Sequence, residues 1–199
     1  MTNIDTTKDN GRIPNFPLRS DTPLGAELAK LGISHFRPLA EMVWSFRYGR
    51  NMNAESTIAV IREKCGTCSS KHRFLAAVAK ENRTNVYLIL SLYIMNEENT
   101  PGVGVVLDEY GLESIPEAHC YLRHNNQDFD LTVPPGESRA QVEREYLNVR
   151  IVDPDELTFI KKNYHKSYIA EWVGKIRGGK FTADEIWRIR EQCIAALSM

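Results

Sequence analysis

Cys65-Gly66-Thr67-Cys68-Ser69-Ser70-Lys71-His72 runs directly into Arg73-Phe74-Leu75-Ala76-Ala77-Val78-Ala79-Lys80. The second half reads as helix, which places Cys68 where that helix begins. A helix start presents unpaired backbone N–H groups and the positive end of the aligned peptide dipoles, and both lower the pKa of a cysteine set there. Leu75, Val78 and Ala79 share a stripe with Cys68, so this side of the helix is expected to face the core.

Upstream, Asn53 to Lys64 reads as a helix capped by Asn53, carrying Ile58 and Ile61 and stopped at Gly66. Before it, Leu24 to Leu31 forms a short helix ended by Gly32. Pro38 to Phe46 forms another, with Leu39, Met42, Val43 and Phe46 on one face. Downstream, Thr84 to Met95 is almost continuously apolar and reads as a central strand with no wet face. Val103 to Tyr110 suggests a short helix closed by Gly111. Glu117 to His124 and Gln127 to Thr132 read as a hairpin about Asn125-Asn126, a dipeptide that tolerates positive φ. That turn sets His124 opposite Gln127, Arg123 opposite Asp128, Tyr121 opposite Asp130 and His119 opposite Thr132. Tyr146 to Val152 makes a further strand. Asp153-Pro-Asp-Glu156 and the capping box Thr182-Ala-Asp-Glu185 each open a helix, the first reaching Val173 and the second about Leu197.

The hairpin supplies the partners that a nucleophilic thiol requires. A thiolate needs a base or positive field to be populated near neutral pH, and the base needs a group that orients its ring. Cys68, His119 and Asp130 are those three parts, with Asp130 the diagonal neighbour of His119 across the hairpin. Asp128, opposite Arg123, is accounted for by a cross-strand ion pair.

Gly66-Thr-Cys68-Ser69, Ala118-His119-Cys-Tyr-Leu and Asp130-Leu-Thr132 stand in the order of three short motifs, and over residues 55 to 135 the chain resembles the transglutaminase-like superfamily of papain-type cysteine enzymes. Tyr121 replaces the tryptophan usual after the histidine motif, and Cys120 the alanine. The resemblance implies an α+β fold, with the cysteine at a helix N-terminus packed on a largely antiparallel sheet and helices at the C-terminus. It implies acyl transfer through a thioester on Cys68, with His119 as general base and acid and Asp130 as orienting carboxylate. The substrate would be a peptide, a protein or a small amide, with no metal or other cofactor. An oxyanion hole would use the Cys68 backbone N–H. Trp44 lies where animal transglutaminases place a tryptophan, although packing is its simpler role.

Other readings use the same residues. Cys65-Gly-Thr-Cys68 is a CxxC at a helix start, the arrangement of thioredoxin-like redox proteins, but a helix precedes it where that fold needs a strand. Cys65, Cys68 and either His72 or the His119-Cys120 pair would serve zinc, although neighbours on a strand point to opposite faces and His72 reads as an exposed helix residue. A non-catalytic interaction module on the same fold is the third alternative.

Composition narrows the class. At 199 residues with a formal net charge of -1, the chain suits one domain and gives no global basic surface for nucleic acid or anionic membrane. Residues 1–22 read as an irregular leader, 23–152 as the catalytic domain and 153–199 as its helical extension. The N-terminus lacks a signal-peptide core and the longest apolar run, Val86 to Met95, is too short to cross a bilayer, so a cytoplasmic protein is expected. Its 4 cysteines then argue for free thiols, catalysis or metal binding over structural disulfides. Lys161, Lys162, Lys166, Lys175, Arg177 and Lys180 read as a solvated helix face. Nothing in the sequence sets the oligomeric state.

Overall fold

Nine residues, Tyr87–Met95, form β3, the strand from which the rest of the structure is built. In the computed structural model, which describes residues 13–137, 144–175 and 179–198, β3 pairs antiparallel with β4 (Ile115–His124) on one side and β6 (Leu147–Val152) on the other. The hairpin strand β5 (Gln127–Phe129) completes a four-stranded sheet in the order β5-β4-β3-β6. Leu88, Leu90 and Leu92 of β3 join Ala118, Cys120 and Leu122 of β4 in the larger core. Glu117, His119 and Tyr121 alternate to the other side of β4, as a period of two requires.

Helix α4 (Cys68–Glu81) packs on β3 and β4 through Phe74, Leu75, Val78 and Ala79. Around it lie α1 (Pro23–Lys30), α2 (Phe36–Trp44) and α3 (Ala59–Glu63). A two-stranded parallel pair, β1 (Arg47–Tyr48) and β2 (Cys65–Gly66), sets Tyr48 opposite Gly66 just before α4. The second core lies under α5 (Gly104–Glu109), α6 (Leu157–Lys175) and α7 (Ala183–Ala196). There Tyr93, Met95 and Ile115 meet Leu107, Ile169, Ile186 and Ile189. The class is therefore α+β with an antiparallel sheet, and no helix among the described residues is long and apolar enough to cross a membrane.

Several boundaries differ from the sequence expectation, each for a local reason. Only 59–63 of the stretch from Asn53 to Lys64 is helical. The Asn53 side chain accepts from Ser56 N in a turn (3.2 Å), and Glu63 holds the loop by accepting from Met52 N (2.9 Å). Lys64 then ends the helix in the left-handed region, at φ 49°. Asp153 does not cap α6. It caps a turn through Asp155 N (2.9 Å) and binds Lys80, so the helix starts at Leu157. Strand β5 stops at Phe129, leaving Asp130 and Thr132 outside the ladder. The pairings Leu122 with Phe129, Arg123 with Asp128 and His124 with Gln127 form as expected, but the expected pairs beyond them do not. Of the leader, 13–22 is irregular and laid over the core through Phe16 and Leu18, while 1–12 falls outside the described residues.

The chain leaves the sheet at Asp130 because α4 captures it. His72, expected to be exposed, is fully buried. Its Nε2 accepts from Leu131 N (2.8 Å) and its Nδ1 donates to Cys68 O (2.8 Å). Lys71, also fully buried, donates to Phe46 O (2.5 Å) and Thr132 O (2.9 Å), tying the same loop to the end of α2. Gly66 leaves room for this packing, since a Cβ there would come within 2.8 Å of Lys71 Cγ and Ser70 Oγ.

Replacing His72 by Phe strands the buried Leu131 N–H. It should lower the urea-unfolding free energy by about 2–4 kcal/mol. Thr67→Ala removes only the α4 cap and should cost about 1 kcal/mol.

Candidate active site

Cys68 occupies the first position of α4, with Thr67 as N-cap. The Thr67 hydroxyl accepts from Ser70 N and the Ser70 hydroxyl accepts from Thr67 N, a reciprocal capping box. Two cavities meet at this residue. The smaller, about 40 Å³, is lined by Cys68, His119, Tyr48, Tyr93, Glu117 and Arg144 among others. The larger, about 520 Å³, opens from Cys68 between α4, α6 and α7.

His119 and Asp130 meet directly, with Nε2 to Oδ2 at 2.7 Å. They reach this contact because Asp130 has left the sheet, whereas the sequence placed it on a strand. The other carboxylate oxygen, Oδ1, accepts from Thr132 N (3.0 Å) and from the Thr132 hydroxyl. With Nε2 committed to Asp130, Nδ1 is the ring nitrogen left for the sulfur. Tyr146 stacks on the imidazole with ring centroids 5.7 Å apart at 5°, and Tyr93 meets it edge-on at 6.1 Å between centroids, so the ring is packed by two aromatic neighbours. Arg144 adds a second cation 3.8 Å from Asp130 Oδ2.

The charges are ordered around the sulfur. Burial pushes the Cys68 thiol up, but the ammonium of Lys161 and then the charge and hydrogen bond of His119 overcome it and bring the thiol to about 6. Burial pushes His119 down, and the Asp130 carboxylate, the Cys68 sulfur and the hydrogen bonds to both raise it to about 9. Burial would also raise Asp130, yet His119 and the other donors hold it well below the usual carboxylate range. Burial pushes His72 down to about 4, outweighing the Asp130 carboxylate and the bond to Cys68 O that favour its charged form, so it stays a neutral structural ring. A thiolate–imidazolium pair therefore spans the interval from about pH 6 to about pH 9.

Lys161 is the main site residue that the sequence reading assigned elsewhere. Its Nζ lies 3.6 Å from Cys68 Sγ and 2.7 Å from Ser69 Oγ. The signal was its spacing. Leu157, Lys161, His165 and Ile169 recur every four residues, and the other three are fully buried, so Lys161 falls on the inward face of α6. Glu117 was passed over as well. It is buried beside the site and neutralised by a bidentate Arg190, both contacts 2.6 Å. Arg190 also binds Glu191, which binds Arg50. Burial alone would raise Glu117, and Arg190 brings it to about 2.

The remaining candidates are placed elsewhere. Trp44 donates its indole N–H to Val133 O (2.7 Å), so that donor is occupied. Asp128 pairs with Arg123 at 2.6 Å. Cys65 and Cys68 are both free thiols, and Cys65 Sγ lies against Arg50 O and Asn51. Among the described residues no three His, Cys, Asp or Glu side chains are grouped to hold a metal, and both His72 nitrogens are already bonded. Fold and site thus define an α+β protein with a Cys-His-Asp constellation and an added lysine. Comparison with protein-family models, with curated proteins and with solved structures found no match to the chain.

Alkylation of Cys68 by iodoacetamide, located by mass spectrometry, should titrate with a midpoint near pH 6, well below the free-thiol value of about 8.5. Lys161→Gln should move the midpoint up by about 1–3 pH units. Midpoints near that of a free thiol in both proteins would remove the charge arrangement described above.

Proposed function

We propose that the protein is a cysteine-dependent amide hydrolase or acyltransferase of the transglutaminase-like, papain-type class, working through a thioester on Cys68. The observation that carries this reading is His119 lying between the sulfur and a carboxylate, with Nε2 on Asp130 and Nδ1 left for Cys68. The start of α4, where Cys68 sits, adds the dipole and unpaired donors that favour a thiolate.

The step follows from the charges. The Cys68 thiolate attacks the amide carbonyl carbon, and the carbonyl electrons move onto oxygen. The backbone N–H of Cys68, at the first helical position, is one donor for that oxyanion. Tyr48, which lines both cavities at Cys68 and is kept protonated by burial, is the second donor we assign. As the tetrahedral species collapses, the C–N bond breaks and His119 gives its proton to the leaving amine, forming the thioester. Water or a second amine then loses a proton to His119 and attacks the thioester. The C–S bond breaks, the product leaves, and thiolate and imidazolium are restored. Asp130 holds the ring and its charge throughout. Lys161 stabilises the free thiolate.

An activated ester such as 4-nitrophenyl acetate should release a burst of about one equivalent of nitrophenol per chain. The burst should vanish in Cys68→Ala and slow by at least about 10²-fold in His119→Ala. Because the active form needs a deprotonated sulfur and a protonated ring, kcat/KM should rise through about pH 6 and fall through about pH 9. Absence of both burst and turnover across several acyl donors would favour a non-catalytic module.

A further inference from the structure

The larger cavity carries a charge that the triad does not use. Five cations line it, Arg50, Arg73, Lys161, Lys162 and Arg190, against the carboxylates Glu117 and Glu191. Two of the cations are matched: Arg190 by Glu117 and Arg50 by Glu191. The other three have no acidic partner within ion-pair distance among the described residues. Arg73 donates to the carbonyl oxygens of Pro154, Ala54 and Glu55, which bond its N–H groups without neutralising it. Lys161 reaches Ser69 and the sulfur. The whole chain has a formal net charge of -1, so this positive excess is local.

Like charges gathered on one concave wall repel, and low-dielectric surroundings concentrate their field on the cavity. The Cys68 thiolate offsets part of that field and leaves the remainder for whatever enters. At about 520 Å³ the cavity lies within the range of small-molecule sites, roughly 300–1,000 Å³. Since Cys68 forms part of its wall, one small molecule can place a carbonyl on the sulfur and a second group among the cations.

We infer that the cavity takes an anionic group, a carboxylate or a phosphate, carried on the same small molecule as the amide that Cys68 attacks. The inference rests on the amide-bond reading above. It narrows the substrate class from amides in general to anionic amides, and it gives Arg73 and Lys162 a role in selecting them.

The test uses the full chain as Cys68→Ala, which cannot be acylated. Its binding of succinamate, of the neutral counterpart butanamide and of inorganic phosphate is followed by NMR titration. Succinamate or phosphate should bind at least about tenfold more tightly than butanamide, and that preference should shrink about three- to tenfold in Lys162→Gln and with added salt. Arg73→Gln should act the same way. Lys162, which is exposed, supplies the variant least dependent on folding. Succinamate binding more tightly than phosphate identifies a carboxylate, and phosphate binding more tightly than succinamate at the same resonances identifies a phosphate-type group. Equal affinity for succinamate and butanamide without phosphate binding, or no binding of any probe, overturns the inference. A nitrophenol burst in the wild type without anion preference in Cys68→Ala would leave the amide chemistry standing and reject the anionic substrate. Anion binding without a burst would reject the acyl chemistry, and with it the assignment of the anion to an amide substrate.

Discussion

One hydrogen bond, from Leu131 N to the buried ring of His72, decides where the site's carboxylate goes. With it, the chain is pulled off the sheet onto α4, and Asp130 turns to meet His119 at 2.7 Å. The bond requires a neutral ring with Nε2 as acceptor. Burial enforces that state, because a charged imidazole would have to be desolvated. Lys71, one position earlier on the same helix, holds the next carbonyl of the loop. The helix that presents Cys68 therefore also places the groups that orient its base.

Electrostatics at the sulfur follow a consistent order. The charges at the sulfur are paired with opposite ones: His119 has Asp130, Glu117 has Arg190, and the thiolate has Lys161 and His119. Pairing offsets the burial cost, since an uncompensated ion in the interior costs several kcal/mol. Glu117 illustrates the point. Unneutralised, its carboxylate would oppose the thiolate, and Arg190 is the group that stops it from doing so.

The C-terminal helices complete the site as well as packing against the second core. Helix α6 delivers Lys161 to the sulfur and α7 delivers Arg190 to Glu117. If the protein works through a thioester, as we propose, its nucleophile is activated both by the histidine familiar from papain-type enzymes and by a lysine from outside the three-motif segment. The same two helices wall the cavity in which we place the anionic part of the substrate.

Much of this was written in local patterns. The helix start at Cys68, the near-continuous apolar run of β3, the Asn125-Asn126 turn and the Thr182 box depend on neighbours a few residues apart, and each produced the expected element. The order of Cys68, His119 and Asp130 was also legible, because a thiol, a base and a carboxylate on suitable elements can be recognised before their distances are known. Only tertiary structure decided which groups would touch across 59 or more residues of chain: His72 with Leu131, Arg190 with Glu117, Lys161 with Cys68. Such contacts arise from the packing of whole elements. They leave no periodic trace beyond the fourfold spacing that turned Lys161 inward, and a polar residue bonded in the core has the same one-letter code as one in water.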